Sequence, residues 1–474
     1  MKALILAALA PIAAVGSESP RTVAESVDAA DETGVFSFDA GADLRIRQEI
    51  MHNVPQLPGG GMIGRPGVSR AKTKNQLRFR PRVWAEVKAG DHWRLYGRLN
   101  DEFRAGLVQP THATTWPGEV VVDNLYLEGM GLFDDATSWF DSLDVWVGRQ
   151  DLYRLYGLDH IFVDGTTGDG SRSTYADMVR LALHFDEVTR LDVFALLNKD
   201  REYMRLGTHR SHEAMQLTGF GGNDTEMDDW GFGAVFSSAV EALDYQLFAI
   251  QKNTASFHRR GEKHPRRQVN LLGTKLVPHW TPNFSTPLEL MTQVGENGAD
   301  ESLSAWAAYA GVSWKDKDAK GWKPFFDGGL LALSGDKDAA DEDGGRHGWD
   351  PMWYRGVDDS EMMLYGTTYG VGWWSNMYNL KGVAGVEFAP HHSARLMAGP
   401  MFAQEKDGLG GGSGMYKGFL TQARYDFPLW SADRDKGERF EIFGHILAEW
   451  FNPGDYFDTD KPAYFVRWQI DFKF

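Results

Sequence analysis

Apolar and charged side chains alternate along eighteen segments of this sequence, and this alternation limits the possible folds more than any other feature. In segment 74–89, for example, Leu77 and Phe79 alternate with Arg78 and Arg80. Successive side chains of a β-strand leave opposite faces, so a two-residue period predicts a strand. The segments with this pattern are 35–49, 74–89, 92–105, 119–131, 142–151, 176–186, 188–198, 229–239, 242–252, 266–278, 286–296, 302–315, 321–335, 378–389, 392–405, 416–428, 437–451 and 462–474. The fold class is therefore predicted to be all-β.

The connections between the predicted strands alternate in length. Long connections such as 50–73 and 106–118 follow odd-numbered strands, whereas the short connections 90–91 and 240–241 follow even-numbered ones. One connection, 297–301, is short where a long one is expected. An even strand count with short turns at one end and long loops at the other is typical of outer-membrane β-barrels, whose short turns lie in the periplasm.

The two faces of the predicted strands differ in content. In the last segment, Val466 and Trp468 alternate with Arg467 and Gln469. If the apolar face contacts lipid, the sheet must close, because backbone polar groups in a bilayer pair only within helices or closed sheets. We therefore predict one transmembrane antiparallel β-barrel domain of about 18 strands over residues 35–474. A secreted β-sandwich or β-helix is the alternative, since strands of soluble sheets also alternate.

The beginning of the sequence has the pattern of a secretory signal. A lysine follows the first methionine, residues 3–15 form an apolar run, and small residues follow. This run is shorter than the ~20 apolar residues that a membrane-spanning helix needs. We predict a signal peptide over 1–16, a flexible lead over 17–34, and a multi-pass β-barrel in the bacterial cell outer membrane after signal cleavage.

The charged face of the predicted strands is rich in arginine, which we expect to face the lumen. Rings of basic side chains attract anions into a pore, and arginine binds carboxylates through two parallel hydrogen bonds. Tyrosines on the same face are candidates for stacking on sugar rings. The predicted pore-lining residues are Arg45, Arg47, Arg78, Arg80, Arg82, Arg94, Arg98, Arg104, Arg149, Arg180, Tyr96 and Tyr126.

A structural role for the same arginines is the alternative. Pairing across the turn at 90–91 places Arg80 opposite Glu102 and Arg82 opposite Asn100. Arginines neutralised in this way would brace the wall of a wide barrel rather than select solutes.

Composition excludes several other functions. The 66 acidic and 49 basic residues give a formal charge of −17, which argues against nucleic acid as a partner. Much of this charge lies in predicted outer loops, such as 336–344, whose spacing fits a calcium loop only loosely. The sequence has no cysteine, so disulfides and thiolate metal sites are excluded. We expect no metal site and no cofactor.

Motifs of enzymes are missing. The sequence contains no Gly-x-Ser-x-Gly elbow, no His-Glu-x-x-His motif and no phosphate-binding loop. Scattered residues such as His160 and Ser171 leave a barrel-embedded enzyme as a weaker alternative. The protein is expected not to be an enzyme.

Several motifs resemble the alginate export family of outer-membrane β-barrels. The sharpest is Gly148-Arg149-Gln150. The Gly-Asp pair and the Trp-containing stretch that usually follow it are replaced here, after Asp151, by Leu-Tyr-Arg-Leu-Tyr-Gly. The segments that carry the resemblance are 44–49, 76–82, 147–152, 164–170, 349–353 and 448–456. The resemblance covers nearly the whole chain after residue 16. It implies a monomeric 18-stranded barrel whose arginine-lined lumen passes polyuronate.

These observations predict an anion-selective outer-membrane channel for an acidic oligo- or polysaccharide, such as an alginate-like polyuronate. A general porin for small solutes is the main alternative. The expected partners are the anionic saccharide, outer-membrane lipid and possible periplasmic export proteins, and the direction of transport stays open.

Overall fold

The structure is a computed structural model of the 474-residue chain. It describes residues 36–54, 73–108, 120–133, 139–151, 160–162, 175–198, 204–206, 229–259, 262–298, 301–337, 347–353, 360, 374–407, 409–432 and 440–474. The predicted signal peptide over 1–16 and lead over 17–34 lie outside these residues.

Eighteen barrel strands follow one another along the described part of the chain. They are β1 (Phe36–His52), β2 (Thr73–Ala89), β3 (Trp93–Asn100, continued by Phe103–Val108), β4 (Val120–Leu132), β5 (Ser142–Asp151), β6 (Tyr175–His184), β7 (Thr189–Asn198), β8 (Asp229–Val240), β9 (Leu243–Thr254), β10 (Arg267–Thr281), β11 (Phe284–Ser285, continued by Leu288–Asn297), β12 (Glu301–Lys315), β13 (Lys323–Leu333), β14 (Met377–Ala389), β15 (His392–Phe402), β16 (Tyr416–Trp430), β17 (Glu441–Pro453) and β18 (Ala463–Lys473). Short strands Arg205–Leu206, Phe257–Arg259 and Glu262–His264 lie in the connections.

The sheet closes into a barrel. Each strand pairs antiparallel with its neighbours in the sequence, and β1 pairs with both β2 and β18. At the closing seam Ile46 lies opposite Ile470, and Phe474 donates its backbone N–H to Ala42. The predicted fold class and strand number are confirmed, because each predicted segment forms one barrel strand. The closed barrel excludes the β-sandwich and β-helix alternatives.

The two ends of the barrel differ in the length of the connections between strands. At one end, turns of two or three residues join β2 to β3, β8 to β9 and β14 to β15. Gly90 begins the first of these turns with φ 60°, a conformation that glycine adopts without strain. The opposite end carries the long loops, except that β11 and β12 are joined by residues 298–300, as the sequence predicts. Short turns mark the periplasmic end of such barrels.

The outer face of the barrel is apolar and exposed. Val83, Leu95, Leu127 and Val147 all face outward with at least two fifths of their surface exposed. Large aromatic side chains collect near the short-turn end, as in the interfacial girdles of membrane barrels. These are Phe36, Trp93, Phe133, Trp139, Trp280, Trp322, Trp430 and Phe474. Among the described residues, no helix has the length and apolar character needed to cross a membrane.

The inner face is divided between charge and packed apolar side chains. Charged residues dominate the inner face of β1–β3, whereas the inner face of β8–β18 packs against segments that fold inward from the long loops. Phe162, Trp349, Met352 and Trp374 come from these inward segments and are almost fully buried. The inward segments therefore fill part of the barrel and leave the charged wall opposite them.

Candidate pore-lining site

Most of the predicted arginines lie on the inner face of the barrel. Their side chains alternate along β1–β3 with outward apolar residues, so the period-two pattern directs them to the lumen side. Arg45, Arg47, Arg78, Arg80, Arg98 and Arg180 are buried, whereas Arg82, Arg94 and Arg104 are partly exposed.

Five of these arginines form two adjacent rows, which we call the arginine patch. In one row Arg47, Arg78 and Arg104 lie directly opposite one another on β1, β2 and β3. In the next row Arg45 lies opposite Arg80. Like charges opposite one another destabilise a sheet. The strand pairing at the arginine patch therefore lowers the stability of the sheet.

Carboxylates are interleaved with the arginine patch. Glu49 is fully buried and contacts Arg47 and Arg78, each at 2.9 Å. Glu102 lies 2.9 Å from Arg78 and 2.7 Å from Arg104. These ion pairs link neighbouring strands. The arginines of the patch therefore also have the structural role that the sequence left as the alternative.

The described inner face of β1–β3 nevertheless keeps an excess of positive charge. Nine basic and five acidic residues lie on it, so the excess is four. The basic residues are Arg45, Arg47, Arg78, Arg80, Arg82, Lys88, Arg94, Arg98 and Arg104, and the acidic ones are Asp39, Asp43, Glu49, Glu86 and Glu102. Arg82 faces Asn100 in register, as the sequence predicts.

Carboxylates of β4 and β5 compensate part of this excess. Arg98 donates to Asp123 at 2.7 Å and lies 3.4 Å from Asp151. Arg94 contacts Glu86 at 3.2 Å and also pairs with Glu128. Within the described part of β1–β5, the positive excess is therefore concentrated at the arginine patch.

The two predicted tyrosines join the charged wall. Tyr96 and Tyr126 pack with ring centroids 5.3 Å apart, and the Arg94 guanidinium lies within 6 Å of both ring centres. Arg94 also donates to the Tyr126 hydroxyl at 3.2 Å. Both rings are buried, so in this structure they support Arg94 instead of presenting a free stacking surface.

Arg180 is a further inward arginine with a carboxylate partner. Its guanidinium lies 4.4 Å from the centre of the Trp146 ring and 2.6 Å from Asp192. Arg180 therefore extends the charged wall to β6.

The pore-lining role of Arg149 stays a prediction, and its side chain is buried, with 4% of its surface exposed. Its register partners are Leu125, which is 41% exposed on the outer face, and Asp177. Arg149 pairs with Asp177 at 3.1 Å and lies over the Tyr175 ring.

One inward segment is anchored to the wall by Glu289. The buried Glu289 carboxylate accepts hydrogen bonds from the backbone N–H groups of His160 and Ile161, each at 3.1 Å. The His160 ring contacts the same carboxylate at 2.8 Å and stacks on Tyr309. Trp374 donates its indole N–H to the Ile161 carbonyl at 2.8 Å. These contacts hold residues 160–162 inside the barrel.

Glycines make room for this stack. A Cβ atom at Gly311 or Gly329 would lie 2.4 or 2.5 Å from the Tyr309 hydroxyl. The Tyr309 ring therefore lies flat against the wall, where it presents one face to His160.

A second inward contact joins the loops near β16. The Tyr456 hydroxyl donates to Asp407 at 3.0 Å, and Asn376 donates to the same carboxylate at 2.6 Å. Burial and the neighbouring Asp407 raise the pKa of Tyr456, so this hydroxyl remains a hydrogen-bond donor.

Several residues of the barrel interior are not among the predicted pore-lining residues. Arg467 on β18 is fully buried, and its Nε lies 3.0 Å from His445 Nε2. The alternation of apolar and charged residues in the last strand predicts that Arg467 faces inward. No comparable signal exists for Glu289 or for Asp350, whose roles depend on loops that return to the wall.

Other predictions fall partly outside the described residues. Of the acidic loop 336–344, the structure describes Asp336 and Lys337, and Ser171 lies outside it. Within the described ranges, no group of three or more His, Asp or Glu side chains is arranged to hold a metal ion.

The closed 18-stranded barrel, its apolar outer belt and its charged inner wall define the fold class of outer-membrane β-barrel porins. Solved porins share this fold. OccK2 (OpdF) of Pseudomonas aeruginosa has a TM-score of 0.51 at 11% identity, covering 92% of this chain and 97% of that chain. OpdQ of the same organism has a TM-score of 0.51 at 9% identity, with the same two coverages. A BenF-like porin from Pseudomonas fluorescens has a TM-score of 0.50 at 9% identity, covering 92% and 98%.

The comparisons do not extend to a named family. No protein-family model matches the chain, and no curated protein matches it in sequence. Membership of the alginate export family is therefore not confirmed. The structural likeness establishes the barrel fold.

Proposed function

We propose that this protein is a bacterial outer-membrane porin that passes small water-soluble solutes and favours those that carry a carboxylate. A barrel of this strand number encloses a lumen wide enough for solutes. Basic side chains on its wall raise the local concentration of anions.

The arginine patch is the observation that carries the proposal. Placing Arg47, Arg78 and Arg104 in one row costs stability, and natural proteins accept such local conflicts chiefly at functional sites. Arg104 is one-third exposed and Arg94 is partly exposed, so a passing solute contacts these two guanidinium groups first. The buried arginines behind them act on the solute through their electrostatic field.

The inward segments favour small solutes over a polymer. Segments 160–162 and 347–353 occupy the barrel opposite the charged wall, with Phe162, Trp349 and Trp353 almost fully buried. A stiff polyuronate chain would have to displace these packed aromatic side chains. The polyuronate channel expected from the sequence is therefore the second candidate, supported by the same arginines but disfavoured by the packed interior.

We also propose passive passage rather than catalysis, through a single copy of the chain in outer-membrane lipid. His160, the described candidate for an enzymatic role, is engaged by Glu289 and Tyr309 in anchoring an inward segment. The solute and the lipid are the partners that this function requires.

The test is solute block of single-channel current in planar bilayers. Glucuronate should reduce the current at lower concentration than glucose, and a uronate decamer should block no better than the monomer. Arg104→Ala should weaken the glucuronate block, whereas Arg149→Ala, which removes a buried guanidinium paired with Asp177, should not. Tight block by the decamer without block by glucuronate would favour the polyuronate channel, and absence of any pore would overturn the proposal.

A further inference from the structure

The segment 347–353 lies against the inner wall of β8–β11. Trp349, Asp350, Met352 and Trp353 are each at most 2% exposed. The Trp353 ring occupies the space beside Gly231, where an added Cβ would lie 2.3 Å from a ring carbon. The segment is thus seated in a position that the wall is shaped to receive.

Three wall residues hold the segment, and we call them the carboxylate seat: Lys252 of β9, Arg267 of β10 and Gln293 of β11. Arg267 lies 3.1 Å from the Asp350 carboxylate, and the Lys252 ammonium lies 3.8 Å from it. Gln293 donates to the Asp350 backbone carbonyl at 2.7 Å and accepts from its N–H at 2.9 Å. Lys252 also donates to the Met352 carbonyl at 2.8 Å.

The charges at the carboxylate seat balance only while Asp350 is present. Lys252 and Arg267 contribute two positive charges, and Asp229, 3.8 Å from Lys252, contributes one negative charge. The Asp350 carboxylate supplies the second negative charge. Without it, the seat would keep one excess positive charge and an arginine fork that matches a carboxylate in shape.

The seated segment also carries costs. The indole N–H groups of Trp349 and Trp353 are buried and find no hydrogen-bond partner within the described part of the chain. Met352 has φ 60°, a left-handed conformation that a methionine rarely adopts. Buried unpaired donors and strained backbone both oppose the seated state.

We infer that the carboxylate seat is a second binding site for solute carboxylates, which Asp350 occupies as a built-in mimic of the solute. This inference rests on the proposed function, because the solutes that displace Asp350 are the small carboxylates that the porin passes. Arg267 is 22% exposed, so a solute reaches it first. Replacement of the Asp350 carboxylate by that of the solute releases segment 347–353 from the wall.

The test uses chemical labelling of Met352→Cys in the full-length protein in liposomes, with a water-soluble maleimide. The native chain has no cysteine, so a single site is labelled. Labelling should be slow without solute, since Met352 is 1% exposed, and glucuronate should accelerate it at least tenfold. Glucose, which lacks the carboxylate, should not. When Asp350→Asn is added to the Met352→Cys protein, labelling should be fast without solute. When Asp350→Glu is added instead, labelling should again be slow.

The outcomes separate this inference from the proposed function. If glucuronate blocks the single-channel current but leaves the labelling rate unchanged, the carboxylate seat is not a solute site and the porin function stands. Equal acceleration by glucose and glucuronate would likewise overturn the inference. If glucuronate has no effect on the current, the proposed function itself fails. Because the comparison with and without solute needs only Met352→Cys, it does not depend on the folding of the Asp350 variants.

Discussion

Glu49→Gln removes the carboxylate at the centre of the arginine patch. Glu49 is fully buried and contacts Arg47 and Arg78, each at 2.9 Å, and Gln76 donates to it at 2.6 Å. Removing one partner of a buried ion pair costs about 3–5 kcal/mol, because the remaining charge is left buried. Arg78 keeps Glu102 as a partner, so we expect the lower end, about 3 kcal/mol.

Equilibrium unfolding in urea, with the barrel in lipid and tryptophan fluorescence as the signal, measures this loss. Glu296→Gln is the matched control, because Glu296 lies 4.0 Å from Arg266 in an ion pair that is mostly exposed. Exposed pairs contribute about 0–1 kcal/mol. Equal losses of stability in the two variants would refute the conclusion that the buried ion pairs brace the charged wall.

Three further predictions concern the inward segments. Gly231→Ala should displace Trp353 and raise single-channel conductance. Gly382→Ala should not, because the nearest contact of its added Cβ would be at an ordinary 3.8 Å. Equal conductance in both variants would contradict the seating of segment 347–353. Glu289→Gln should also raise conductance by freeing residues 160–162, and an unchanged value would argue against that anchor. Burial alone would raise the pKa of Asp350, but the two cations of the carboxylate seat hold it below its usual value. A depressed pKa contributes stability that is present above the unfolded value and lost as pH falls through the folded value. The Met352→Cys labelling rate, divided at each pH by that of a free-cysteine peptide to correct for loss of thiolate, should therefore rise only in acid. A rise of this ratio at neutral pH would contradict the prediction.

The strands and their faces could be predicted from the sequence because membrane and lumen impose opposite demands on alternate residues. Leu95 and Tyr96 illustrate the rule: the first faces outward and is 49% exposed, and the second is buried inside. The register of β2 and β3, with Arg82 opposite Asn100, followed from the short turn between them. Local pattern and turn length together were sufficient for these features.

The packed interior could not be predicted because it depends on contacts between residues far apart in the chain. The Glu289 carboxylate binds the backbone of Ile161, 128 residues away, and no local period encodes this contact. Asp350 similarly meets Lys252 and Arg267 only after the loop between β13 and β14 returns to the wall. The arginines were therefore identifiable from the sequence, whereas the segments that narrow the barrel beside them were not.

The zero-current potential of Arg78→Ala in planar bilayers across a KCl gradient tests whether the arginine patch attracts anions into the lumen. One unit charge about 10 Å away in water is worth about 0.4 kcal/mol, and it acts with opposite sign on anions and cations. Losing it should lower the chloride-to-potassium permeability ratio about fourfold, or about twofold at 0.1 M salt, where the Debye length is about 10 Å. The wild type should prefer anions, Arg78→Ala should have a lower ratio, and Arg78→Lys, which keeps the charge, should leave the ratio unchanged. Equal ratios in the wild type and Arg78→Ala would contradict this prediction.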